Sequence, residues 1–222
     1  MNNHKIELQV PVQTGIILPE PTLRRLPWYL AYIDILYAQG TGHVSSTQIS
    51  RALNVDASQI AKDLSFLSIK GKTRIGYDVA QLRDILADFL GFRVSHKALV
   101  IGAGSLGRAL MCDTGLSTYG LDIAAALDID TALVGTEVNG RPICHIDDIE
   151  EVAQTTGAVI AILTVPFEVA QEAADIAISA GIRAIWNFTP YRVKTAEGIV
   201  MANTSIYAHL AMIYNRLENL NR

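Results

Sequence analysis

Apolar positions follow two different rhythms along this chain. Up to Gly91 they recur every three or four residues, the period of a helix buried on one face; from Ala98 onward, short continuous apolar runs alternate with such helical stretches. The first rhythm predicts a helical unit over 19–91, and the second an α/β unit over 96–203. Residues 91–96 read as the linker, residues 1–18 as a poorly ordered arm and residues 204–222 as a terminal helix.

Within the first unit, Pro19-Glu20-Pro21 opens a long helix whose stripe is Leu23, Leu26, Leu30, Ile33 and Tyr37, with Gly40 and Gly42 as its stop. Pro27 interrupts it, predicting a kink or a later start. Ser45-Ser46-Thr47 offers capping hydroxyls to a short helix closed by Asn54-Val55, and Asp56 or Ser58 caps the next, with Ile60, Leu64 and Leu67 on one face. This is a helix-turn-helix outline, with the recognition helix near Ala57 to Ser68. Gln59, Lys62, Asp63, Ser65 and Phe66 fall off its apolar face. Ile69 to Asp78 then reads as a β-hairpin with a basic, glycine-bearing tip, the wing of a winged helix. A helix over Ala80 to Leu90, with Leu82, Ile85, Leu86 and Phe89 on one side, completes the unit.

The second unit opens on Ala98-Leu99-Val100-Ile101-Gly102-Ala103-Gly104-Ser105-Leu106-Gly107, an apolar strand running into Gly-x-Gly-x-x-Gly and an Ala/Leu-rich helix. Gly102 permits the tight turn, Gly104 leaves room for a pyrophosphate, and Gly107 lets the helix approach the sheet with its N-terminal N–H groups aimed at the phosphates. A second strand, Ile123 to Leu127, ends in Asp128, 21 residues after Gly107, where a ribose-binding acid belongs. A carboxylate there favours NAD(H) over NADP(H), whose 2′-phosphate it would repel.

A turn at Asn139-Gly140, a helix over Asp147 to Thr155 and a buried strand Val159 to Pro166 follow, with Thr164-Val165-Pro166 at the strand's ligand-side end. Next come an alanine-rich helix from Phe167 to Ala180, a strand Ile182 to Trp186 ending in Asn187-Phe188-Thr189-Pro190, and a strand over Gly198 to Met201. The terminal stripe Ile206, Leu210, Ile213, Tyr214 and Leu217 reads either as core or as a face for a second subunit.

Composition changes the picture in two places. The net charge of −4 over 222 residues argues against indiscriminate nucleic-acid binding, yet residues 1–95 carry +2 and residues 96–222 carry −6. Between Ser58 and Gly76 there are four cations and one anion. The two cysteines, Cys112 and Cys144, have neither metal-ligand nor disulfide-framework spacing and read as buried, reduced thiols. No apolar run approaches the ~20 residues of a membrane span, and the polar start lacks a signal-peptide core, so a soluble, cytoplasmic protein is expected.

A winged helix before a small nicotinamide-type Rossmann domain and a terminal helix resembles the Rex redox-sensing transcriptional repressors. The matching stretches are Arg25-Leu26, Ser45-Ser46, Lys62-Asp63-Leu64-Ser65 and Gly76-Tyr77 in the first unit. In the second they are the glycine loop, Asp128-Ile129-Asp130, Leu163-Thr164-Val165-Pro166 and Asn187-Phe188-Thr189-Pro190.

The resemblance implies a homodimer that binds an inverted-repeat operator in double-stranded DNA when NADH is scarce and leaves it when NADH closes the dimer, NAD⁺ competing without efficient release. The terminal helix would be exchanged between subunits. It implies DNA contacts from Ser46, Ser58, Gln59, Lys62, Ser65, Lys70, Lys72 and Arg74. Gly102, Ala103, Gly104, Ser105, Leu106, Gly107 and Asp128 would hold the dinucleotide, with Thr164, Val165, Pro166 and Phe188 beside the nicotinamide. The chain departs from the family pattern at Ala61, where the family has an Arg before Lys-Asp-Leu, at Ala31, Asp113 and Ser205, positions that some members use to relay the redox state, and at Ile206, where an aromatic approaching the partner's nicotinamide is expected.

Two other functions compete. A small NAD-dependent oxidoreductase would need an acid/base group in the cleft, and His145, the one histidine of the second unit away from its termini, reads instead as an ordinary strand or turn residue. A winged-helix regulator holding coenzyme A would keep the DNA-binding unit and change the ligand; Asp128 disfavours it.

Overall fold

The computed structural model describes residues 18–220; the expected arm, except for Leu18, lies outside the described residues. The described chain divides after Arg93 into two compact units, within the segment 91–96 expected as the linker.

The first unit is built on α1 (Glu20–Ala38), which stays continuous through Pro27 although that residue cannot donate to the Leu23 carbonyl. Its buried side chains are Thr22, Leu26, Tyr29, Leu30 and Ile33. Leu23 and Tyr37, expected in the stripe, are exposed; Tyr37 instead lies under the Arg83 guanidinium at 4.8 Å.

A two-residue strand, β1 (His43–Val44), precedes α2 (Ser46–Leu53). Ser45 caps α2 in a reciprocal box with Gln48, and Asn54 ends it in the left-handed conformation that asparagine tolerates. Asp56 then caps α3 (Ala57–Ser65), shorter than the expected span, although Leu67 beyond it is still buried.

The expected hairpin over Ile69 to Asp78 is reduced to one bridge between Lys72 and Gly76. The returning strand, β2 (Tyr77–Asp78), pairs antiparallel with β1 rather than with the segment before the turn. Gly76 makes that pairing possible, because a Cβ there would stand 2.4 Å from the Val44 carbonyl oxygen. Asp78 caps α4 (Val79–Phe89), whose Val79, Leu82 and Leu86 close a core shared with α1, α2 and α3.

The second unit is a twisted sheet on β3 (His96–Ile101), β4 (Leu121–Asp128), the hairpin of β5 (Glu137–Val138) and β6 (Arg141–His145), β7 (Ile160–Leu163), β8 (Ala184–Asn187) and β9 (Val200–Asn203). Its order is β5-β6-β4-β3-β7-β8-β9, with β5 antiparallel at the edge and the other six parallel. Counted in sequence, the parallel strands run 3-2-1-4-5-6, the dinucleotide-binding topology.

One face packs Leu99, Ile101, Leu127 and Leu163 against α7 (Ile149–Thr156) and α8 (Ala170–Ser179). The other packs Val100, Ala126, Ile143 and Ile162 against α5 (Ser105–Cys112) and α6 (Gly115–Thr118). α9 (Ile206–Leu220) ends the described chain and buries none of its residues, so the expectation that its stripe is core fails within one chain.

Candidate functional site

Two groups of cations separate within the first unit. Arg24, Arg25, Arg83 and Arg93 are each paired with a carboxylate: Glu20, Asp63, Asp34, and Asp84 with Asp88. Arg51, Lys62, Lys70, Lys72 and Arg74 are exposed and enter no ion pair among the described residues. All five lie on α2, α3 and the turn before β2. Cations left without internal partners on a helix-turn-helix and its wing are what phosphate binding requires. Arg51, on α2, stands ahead of the run of cations between Ser58 and Gly76 that marks this surface in the sequence.

α3 is tied to α1 by one buried carboxylate. Asp63 was expected off the apolar face, yet it is fully buried. Its Oδ2 accepts from Arg25 Nε and Tyr29 Oη, both at 2.7 Å. Its Oδ1 accepts from Thr22 Oγ1 at 3.0 Å and from Arg25 and Gln59 nitrogens at 2.8 Å. Burial alone would raise its pKa, but the hydrogen bonds from Arg25, Tyr29, Gln59 and Thr22 outweigh burial and hold the group below the usual carboxylate range. Ser58 Oγ is bonded to Asp56 Oδ1 and Ser65 Oγ to the Lys62 carbonyl, whereas Ser46 stands at the first position of α2, outside the cap.

In the second unit, the chain leaves β3 through Gly102 at φ +98° and enters α5 after Gly104. A Cβ at Gly107 would lie 2.1 Å from the Gly102 carbonyl oxygen, so the helix can come this close only with glycine there. Around a Cβ built at Gly104 there is nothing within 4 Å, the open space a pyrophosphate needs. Thr164 Oγ1 donates to the Gly102 carbonyl at 2.7 Å and so holds the loop from the neighbouring strand.

A cavity of about 680 Å³ opens at this switch point. Gly102, Gly104, Asp128, Thr164, Val165 and Pro166 line it, together with Ile129, His145, Asp147, Val169, Glu172 and Ile176. The glycine loop, an acid at the end of β4 and apolar walls for a flat ring fit the adenosine half of a dinucleotide.

A redox-sensing transcriptional repressor Rex of Bacteroides fragilis is 53% identical over 218 residues, which are 98% of this chain and 97% of that protein. The chain belongs to the Rex family. A Rex of Treponema denticola is 39% identical over 87% of this chain and 92% of its own. The crystal structure of RSP, a Rex-family repressor, in complex with beta-NAD+ and operator DNA superposes with a TM-score of 0.88 at 30% identity, over 92% of this chain and 94% of that one. RSP in complex with beta-NADH gives a TM-score of 0.82 at the same identity, over 92% and 96%. Residues 17–65 match the family model described as "Putative DNA-binding protein N-terminus", and residues 94–191 match the "CoA binding domain" model. Rex-family membership makes this a transcriptional repressor whose winged helix precedes a Rossmann-type domain.

Not every expected dinucleotide residue faces the cavity. Ala103, Ser105, Leu106 and Gly107 do not line it: Gly107 packs α5 on the sheet, and Ala103 donates its backbone N–H to Asp128 Oδ2 at 2.6 Å. Phe188 also lies outside it, grouped with the opposite face of the sheet and tilted against Trp186 at 4.7 Å between ring centres.

His145, expected on an ordinary surface, lines the cavity at the end of β6. Its Nδ1 lies 3.3 Å from both the backbone nitrogen and Oδ2 of Asp147. The expected buried thiols are also corrected: Cys112 is exposed, and Cys144 is half-buried, its pKa raised first by burial and then by Asp148 and Glu151. Among the described residues no helix is long and apolar enough to cross a membrane, and no three metal-binding side chains cluster.

Proposed function

We propose that this chain is a cytoplasmic, NADH-responsive repressor that binds an inverted-repeat operator as a homodimer and is released when NADH occupies the cavity beside Gly104. Ser46, Ser58, Gln59, Lys62, Ser65, Lys70, Lys72 and Arg74, with Arg51 added, face the DNA. The glycine loop and Asp128 hold the dinucleotide, Asp128 by accepting from ribose hydroxyls. The observation that carries this reading is the likeness over nine-tenths of the chain to RSP, which has been seen with operator DNA and beta-NAD+ and separately with beta-NADH. The dinucleotide is a signal here and not a substrate, so it acts by preferring one arrangement of the dimer over the other. Contacts from α9 across the dimer supply the two arrangements.

The coenzyme A reading has one observation in its favour, the family model over residues 94–191. Against it, Asp128, Asp147 and Glu172 line the cavity and would repel the extra phosphate on a coenzyme A or NADP ribose.

Fluorescence anisotropy of a labelled inverted-repeat duplex, titrated at fixed salt with NADH, NAD⁺ and coenzyme A, tests both. NADH is expected to release the duplex, NAD⁺ to compete with NADH without releasing it, and coenzyme A to do neither. Gly104→Val fills the open space, so this variant should bind the duplex and hold it at every NADH concentration. DNA binding indifferent to NADH, or release by coenzyme A alone, would overturn the redox reading.

A further inference from the structure

Gln59 occupies the first turn of α3, half-buried, between the Asp63 cluster and the exposed face carrying Lys62 and Ser65. Its Nε2 donates to Asp63 Oδ1 at 2.8 Å. Asp63 is an ionised carboxylate that already takes hydrogen bonds from Thr22, Arg25 and Tyr29, and it can only accept. The amide of Gln59 therefore cannot turn its oxygen toward Asp63. Oε1 points away, and neither it nor the second N–H of the amide has a partner among the described residues. A free acceptor beside a free donor, in fixed order, is the complement of the N6–H and N7 of adenine in the major groove. Guanine offers two acceptors on that edge and would set its O6 against Oε1.

The other outward side chains of α3 carry no such fixed pair. Ser58 and Ser65 already donate their single hydroxyl hydrogens to Asp56 Oδ1 and the Lys62 carbonyl and so present acceptors only, Lys62 is a point donor, and Ala61 has no polar atom.

We propose that Gln59 reads an adenine in each half-site, and that Asp63 is the positioning residue that fixes the amide for it. This rests on the DNA-binding reading above and names the base which that interface recognises.

Selection of duplexes from a random double-stranded library by the full-length protein gives the preferred motif, and the same selection by Gln59→Ala gives its comparison. The wild-type motif is expected to hold one A·T position per half-site whose preference disappears in Gln59→Ala while the remaining positions persist. Replacing that adenine with 7-deazaadenine removes only the N7 acceptor and should weaken wild-type binding about fivefold or more, with no effect on Gln59→Ala. Gln59→Met, of similar length and without the amide, takes the place of Gln59→Ala in both measurements should the alanine variant fold poorly. Asp63→Asn, in which either amide orientation is allowed, should lower the adenine-over-guanine ratio at the same position.

A motif read identically by wild type and Gln59→Ala, or a uniform loss of affinity for all sequences, would overturn the inference and leave Gln59 a packing residue. An unchanged adenine-over-guanine ratio in folded Asp63→Asn would overturn the positioning role. Failure of the wild type to enrich any duplex would overturn the DNA-binding reading itself, and this inference with it.

Discussion

Asp63 is a charge with no access to solvent, and such a group is tolerated only where every lone pair is met. Arg25 meets it bidentately and Tyr29, Thr22 and Gln59 supply the rest, which ties α3 to α1 by side chains 34 to 41 residues apart in three of the four cases. Asp63→Asn breaks the pair and turns amide hydrogens toward the guanidinium; it should destabilise the first unit by about 3 kcal/mol. Hydrogen exchange is the direct measurement, with protection lost in α1 and α3 and retained in β3 and β7. The pH dependence has a definite sign. A carboxylate whose folded pKa is depressed contributes stability above its unfolded pKa of about 4 and loses it as pH falls through the folded value. The gap in stability between wild type and Asp63→Asn should therefore be full near neutrality and close in acid; a gap constant down to pH ~2 would assign it to packing instead.

At the scale of elements, the wing shows what a short segment can do without regular structure. One bridge and a two-residue pairing with β1 are enough to hold Lys72 and Arg74 on an exposed turn, Arg74 at φ 65°, a strained value for a side chain with a Cβ. If both cations meet phosphates, Lys72→Ala and Arg74→Ala should each weaken duplex binding. Each should also flatten the slope of log affinity against log salt by ~0.9, with NADH binding unchanged. An unaltered slope would remove that residue from the interface.

The glycine loop was legible in the sequence because each of its glycines answers a local demand, a positive φ at Gly102, open space at Gly104 and a 2.1 Å clash at Gly107. The capped short helices were legible for the same reason: Ser45 and Asp56 act on backbone two or three residues away. β1 was not, because two residues have no period. The Asp63 cluster was not, because its partners sit on another helix. The place of His145 was not, because what the end of β6 faces depends on Asp128 of β4 beside it and on α8 behind.

At the scale of the whole molecule, α9 is the element without a home in its own chain. Ile206, Leu210, Ile213, Tyr214 and Leu217 follow a helical stripe and stay between 37% and 59% exposed. An apolar stripe of this length left in water carries a free-energy penalty that burial against a second copy removes, and a single helix-turn-helix per chain gains affinity from a two-fold partner. If α9 supplies the dimer contact, Ile213→Asp combined with Leu217→Asp places two charges in the C-terminal half of the stripe and should yield a monomer by sedimentation. Hydrogen exchange in the first unit and in the sheet should be unchanged. Each recognition helix would then meet its half-site independently, and affinity for the full inverted repeat should fall by about 100-fold or more toward that for one half-site. NADH should still bind the double variant, since the glycine loop and Asp128 come from one chain, but it should no longer alter what DNA binding remains. A double variant that stays dimeric, or a monomer that NADH still releases, would place the switch somewhere other than α9.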